Sequence, residues 1–124
     1  MYYLQVEGDF ASAHQLREYQ GKCENLHGHN WRVLARVKGR ELDKTGMLVD
    51  FGILKKLVRD LLESLDHKFL NETPPFDTIN PTSENLSKYL FEELDNLLPA
   101  GVSVHEITVW ESEKCAATYM ADGA

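Results

Sequence analysis

A chain of 124 residues that is 43% apolar and 10% aromatic can fill one hydrophobic core, which excludes a disordered chain and predicts a single domain over residues 1–124. The 20 acidic residues outnumber the 13 basic ones and give a formal charge of −7, which excludes a general electrostatic attraction to nucleic acid or to an anionic membrane. No apolar run approaches the roughly 20 residues of a spanning helix, and Met1 to Gln5 lacks the basic start and apolar middle of a signal peptide, so the cytoplasm is the expected compartment.

The chain opens on alternation. Tyr2, Leu4 and Val6 oppose Tyr3, Gln5 and Glu7, which predicts a strand from Tyr2 to about His14. His29, Trp31, Val33, Ala35 and Val37 alternate with Asn30, Arg32, Leu34, Arg36 and Lys38 in a second strand over Gly28 to Lys38. The polar stretch from Arg17 to Leu26 reads as the loop between them. From Phe51 the period becomes helical: Leu54, Leu57, Val58, Leu61, Leu62 and Leu65 recur at steps of three and four, with Asp50 as N-cap. Pro74, Pro75 and Pro81 make Asn71 to Pro81 an irregular connection. A second helix starts at a Thr82 or Ser83 cap, carries Leu86, Tyr89, Leu90, Leu94 and Leu97, and stops at Pro99 and Gly101. Val104 to Glu111 and Cys115 to Met120 then form a hairpin. The order ββααββ predicts an α+β domain, a four-stranded antiparallel sheet with both helices on one face. Its other face, with Arg32, Arg36, Thr108 and Trp110, suits either solvent or a partner subunit.

Three histidines fall in a pattern that suits a metal. His27 and His29 are two apart in a strand and face the same side, and an antiparallel pairing brings His14, at the end of the first strand, beside them. Three neutral imidazoles with an open fourth position describe a catalytic zinc site, although a bare H-x-H is also an ordinary polar strand end. Cys23, four residues before His27, is a candidate base if its thiol ionises near a cation such as Lys22 or a metal; otherwise it is a small buried group. Cys115 has no polar cluster of its own and reads as structural. Asp66 and His67 follow the first helix, where adjacent residues meet only if the chain leaves helical geometry. Such a dyad tunes a proton-transfer group, and the alternative is a histidine at a helix C-terminus. Glu111 ends a strand whose outward alternation predicts a solvated carboxylate, or else one that grips the paired N–H groups of a guanidine-like heterocycle. Glu41, Asp43 and Asp50 read as loop and cap residues rather than metal ligands, and His105 and Glu106 carry no role.

Phe10-Ala11-Ser12-Ala13-His14, Cys23-Glu24-Asn25-Leu26-His27-Gly28-His29-Asn30, Leu65-Asp66-His67, Pro81-Thr82-Ser83-Glu84-Asn85 and Trp110-Glu111-Ser112 together resemble the 6-pyruvoyl-tetrahydropterin synthase family over nearly the whole chain. The short chain and the C-x-x-x-H-G-H spacing resemble its bacterial 6-carboxy-5,6,7,8-tetrahydropterin synthase branch, which acts in queuosine and 7-deazapurine biosynthesis. The resemblance implies a tunnelling fold in which His14, His27 and His29 bind zinc and Cys23 accepts a proton. Asp66 and His67 would relay the proton, and Glu111 would anchor the pterin ring and support that relay. A related branch uses a glutamate as the base, and Glu24 adjoins Cys23, but the usual spacing favours the thiol. Thr82, Ser83 and Glu84 would reach the ring pocket from a neighbouring subunit of a homo-oligomer, commonly a hexamer of two trimers. The expected reaction converts 7,8-dihydroneopterin triphosphate to 6-carboxytetrahydropterin, acetaldehyde and triphosphate. The alternatives are the 6-pyruvoyl synthase reaction on the same substrate and a non-catalytic pterin-binding module. Arg17, Lys22, Lys68 and Lys114 are the candidate cations for the triphosphate.

Overall fold

In the computed structural model, which describes residues 1–18 and 25–122, the alternating N-terminal sequence forms two 13-residue strands, β1 (Tyr2–His14) and β2 (His27–Gly39). They pair antiparallel along their full length, from Tyr2 opposite Gly39 to His14 opposite His27. Helix α1 (Phe51–Glu63) begins where the Asp50 carboxylate accepts from Gly52 N at 2.6 Å. Helix α2 (Ser83–Leu97) begins at Thr82, whose hydroxyl accepts from Asn85 N at 3.1 Å. Each cap satisfies an amide that the first helical turn leaves without a carbonyl. The chain ends in a hairpin of β4 (Val102–Ser112) and β5 (Cys115–Tyr119).

The sheet departs from the expected four antiparallel strands. Between the helices Lys68–Phe69 form a short strand, β3, that lies parallel to β1 against Ser12 and Ala13. The order along the sheet is therefore β3-β1-β2-β4-β5, a mixed five-stranded sheet, and the element order ββααββ becomes ββαβαββ. Two residues cannot display a period of two, so this strand has no signature in hydropathy; it is created by its neighbour's edge.

Phe10, Trp31, Val33, Ala35, Val37, Ile107 and Val109 on the inner face pack with Leu54, Val58 and Leu62 of α1 and Leu86, Leu90 and Leu94 of α2 in one buried cluster. Gly8 lets α1 lie close on β1, because a Cβ there would sit 2.7 Å from Leu62 Cδ1. The irregular connection is anchored by Phe76, which is fully buried and meets Tyr89 edge-on at 5.3 Å. Burying such a ring stabilises by about 1.5–3 kcal/mol, one contribution to holding this proline-rich segment in place. On the outer face the Arg32 guanidinium lies 3.9 Å over the Trp110 ring, and Arg36 pairs with Glu106 at 3.3 Å. No helix among the described residues is long and apolar enough to cross a membrane.

Candidate metal centre and active site

The β1–β2 register creates the centre. His14 lies opposite His27, and Ser12 lies opposite His29, so the three imidazoles converge at one end of the sheet. Trp31 forms their wall, edge-on to His14 at 4.9 Å and to His29 at 5.3 Å, and it stacks in turn on Phe10. His14 is fully buried.

Hydrogen bonds to main-chain carbonyls set the tautomers. His14 Nδ1 lies 2.7 Å from Pro81 O, and His27 Nδ1 lies 2.9 Å from Asn25 O. A carbonyl only accepts, so each Nδ1 carries the hydrogen and each neutral ring keeps its lone pair on Nε2. Those two Nε2 atoms face each other at 2.9 Å. Facing lone pairs repel unless a cation lies between them. Ligand atoms around a tetrahedral zinc ion are about 3.3 Å apart at the usual bond length, so the donor set suits such an ion. His14, His27, His29 and Glu111 each offer one ligand atom, all within 4.8 Å of one another.

Glu111 corrects its expected solvated placement. It shares the inward parity of Ile107 and Val109, so its carboxylate turns toward the histidines, with Oε2 3.7 Å from His14 Nε2 and Oε1 3.6 Å from His29 Nε2. The group therefore faces the imidazoles while remaining partly open to solvent.

Asp66 and His67 do meet. The chain leaves α1 at Ser64, and His67 takes a left-handed conformation, φ 54°, with its N–H on Ala11 O at 2.6 Å. Asp66 Oδ2 then lies 2.8 Å from His67 Nδ1, while Oδ1 accepts from Ala11 N at 2.8 Å. The Ala11 amide is the main cause that holds the Asp66 carboxyl below its ordinary pKa, against a smaller opposing effect of burial, with the His67 ring adding to the depression. The buried Ser12 hydroxyl donates to Leu65 O and braces the same turn. The His67 ring is exposed and shares an open groove of about 340 Å³ with His29, Asn30 and Lys68. A larger depression of about 730 Å³ lies at the far end of the sheet, by Met1, Arg40 and Gly101, and holds none of these groups.

Cys23, Lys22 and Glu24 lie outside the described residues. The Thr82 hydroxyl accepts the α2 cap bond from Asn85 N and keeps its own O–H to donate, and Glu84 is exposed. The Arg17 guanidinium donates to the carbonyls of Ile79, Asn71 and Phe76 at 3.2, 3.1 and 2.6 Å, which uses three of its five donors. Asp43 and Asp50 act as the loop and cap residues expected, and Cys115 is exposed, with no disulfide partner among the described residues. Sequence reading missed the Pro81 carbonyl and the asparagines that flank the proline-rich connection; a main-chain acceptor has no residue-type signal.

The family model of 6-pyruvoyl tetrahydropterin synthase matches residues 3–122. A 6-carboxy-5,6,7,8-tetrahydropterin synthase of Synechocystis sp. is 35% identical over 98% of this chain and 95% of its own length. The human 6-pyruvoyl tetrahydrobiopterin synthase is 34% identical over 82% of this chain and 72% of its own length. The structure of the Caenorhabditis elegans 6-pyruvoyl tetrahydropterin synthase superposes with a TM-score of 0.83 at 31% identity, covering 98% of this chain and 96% of that one. On the fold, the histidine centre and these similarities together, the chain belongs to the 6-pyruvoyl tetrahydropterin synthase family of enzymes.

Proposed function

We propose that the chain is a zinc-dependent 6-carboxy-5,6,7,8-tetrahydropterin synthase of the cytoplasm, a single-domain enzyme that supplies queuosine and 7-deazapurine biosynthesis. With the uptake of one water, it converts 7,8-dihydroneopterin triphosphate to the 6-carboxy product with release of acetaldehyde and triphosphate. The observation that carries this reading is the pair of Nε2 lone pairs at 2.9 Å, aimed at one point by carbonyls on the far side of each ring. The Synechocystis relative supports the choice of product.

His14, His27 and His29 would hold the zinc ion, which would supply Lewis acidity to the hydroxyls of the substrate side chain and so acidify the adjacent carbon-bound hydrogen. Cys23, as thiolate, takes that proton. The exposed His67 ring, oriented by Asp66, returns one elsewhere on the substrate, and its place in the groove beside His29 supports that role. Glu111 accepts the paired N–H groups of the pterin ring, a role supported by its carboxylate lying 3.7 and 3.6 Å from His14 and His29. Thr82, Ser83 and Glu84 of a neighbouring subunit close the ring pocket in a homohexamer of two trimers. Lys68 lines the groove and is, among the described residues, the cation available to the triphosphate there.

The near-equal identities to relatives of both names, 35% and 34%, favour one second reading, triphosphate elimination to a 6-pyruvoyl product. Incubation of the zinc-loaded protein with 7,8-dihydroneopterin triphosphate, followed by mass spectrometry of every product, separates them. Acetaldehyde with a 6-carboxypterin supports the first reading, a 6-pyruvoyl compound replaces it with the second, and binding without turnover leaves a pterin-binding module.

A further inference from the structure

Beyond Ser12 and Ala13, the outer edge of β1 loses its partner strand, since β3 ends at Phe69. Two asparagine side chains continue the ladder in its place. Asn71 Oδ1 accepts from Gln15 N at 2.9 Å while its Nδ2 donates to Gln15 O at 2.6 Å. Two residues along, Asn80 Oδ1 accepts from Arg17 N at 2.8 Å while its Nδ2 donates to Arg17 O at 2.8 Å. A primary amide offers the same donor and acceptor as a peptide unit, so each asparagine replaces one rung of a strand. The Arg17 side chain then turns back onto the carbonyls of Asn71, Phe76 and Ile79. Asn80 passes the constraint on, because its carbonyl accepts from Thr82 N and from Asn85 Nδ2, both at 2.9 Å. Pro81 lies between these fixed points, and its carbonyl is the one that takes the His14 Nδ1 hydrogen.

We propose that Asn80, Asn71 and Arg17 are positioning residues for the metal centre: by locking the 71–81 connection to the chain just after His14, they hold the Pro81 carbonyl against His14 and keep its Nε2 aimed at the metal position. The proposal rests on the zinc-site reading above. Partners that orient a ligating histidine typically change metal affinity about 10–100-fold when removed. A clamp that only supports the loop lowers the stability of the metal-free protein and leaves the affinity of the folded protein alone.

The full chain and its Asn80→Asp, Asn80→Ala, Asn71→Ala and Arg17→Lys variants are compared by zinc dissociation constant from chelator competition, by the visible spectrum of the cobalt(II)-loaded protein, and by the thermal midpoint without metal. Asn80→Asp keeps the acceptor for Arg17 N but sets a carboxylate oxygen against Arg17 O. Its expected result is a zinc affinity weaker by about 10–100-fold in a folded protein, with an altered cobalt spectrum. Arg17→Lys keeps the charge but cannot span three carbonyls, and shows a smaller loss. Folded variants that bind zinc like the unchanged chain overturn the proposal, as does a loss no larger than the unfolded fraction explains. If the Asn80 variants do not fold, Asn71→Ala and Arg17→Lys decide by the same measurements; collapse of all four makes the clamp a folding element and overturns it too. An unchanged chain that binds no zinc removes the metal-site reading and this one with it, whereas tight binding by chain and variants alike removes only this one.

Discussion

His67 Nδ1 and Asp66 Oδ2 meet at 2.8 Å across a single peptide because His67 sits at φ 54°, a conformation outside the right-handed helix. The dyad thus depends on a local backbone conformation that a β-carbon disfavours and that the contact with Ala11 O holds in place. Replacing His67 by Ala should cut turnover by about 10²–10⁴-fold, the usual contribution of a proton-transfer group, with zinc content unchanged by metal analysis.

The depressed Asp66 carboxyl has a defined effect on acid stability. A carboxyl whose folded pKa lies below its unfolded one contributes stability that is present above the unfolded value and lost as pH falls through the folded value. Asp66→Asn should therefore be less stable than the unchanged chain at neutral pH, and the two denaturation midpoints should converge as the pH drops below the ordinary aspartate range. A constant gap down to strong acid would contradict the assignment.

Metal binding should stabilise the fold, because the two facing Nε2 atoms are brought together only in the folded chain. At a free zinc concentration of 100 times the dissociation constant, the unfolding free energy should rise by about 2.7 kcal/mol, read by chemical denaturation before and after chelation. Cys23→Ala should keep that increment in full and lose turnover; retained turnover would refute the role of the thiol.

Glu111 distinguishes a substrate anchor from a fourth metal ligand, since its oxygens lie 3.6 and 3.7 Å from two imidazole nitrogens. As an anchor, Glu111→Gln should hold zinc with little change and bind the pterin at least tenfold more weakly, measured by calorimetry with each ligand. A large fall in zinc affinity would instead describe a closed structural site.

Far from the histidines, Gly39 ends β2 where a Cβ would sit 2.7 Å from Gly101 O, a main-chain atom that cannot step aside. Gly39→Ala should cost about 1–3 kcal/mol of stability by overpacking and leave zinc affinity unaltered, which makes it a control for the variants near the centre.

Alternation and helical periodicity were sufficient to locate β1, β2, α1, α2 and the final hairpin, because each is long enough to repeat its pattern and the two helices carry N-caps. The nearness of His14 to His27 and His29 was legible too, since antiparallel pairing leaves the end of one strand beside the start of the next. What the residues along the chain do not encode locally is left to the folded arrangement. β3 exists only because β1 presents an open edge, the inward turn of Glu111 follows the parity imposed by the packed core, and the tautomer of His14 is decided by a carbonyl 67 residues away. Arg17 offers the same lesson: its charge is visible in the sequence, but the three carbonyls that engage it come together only when the 71–81 connection folds back on β1.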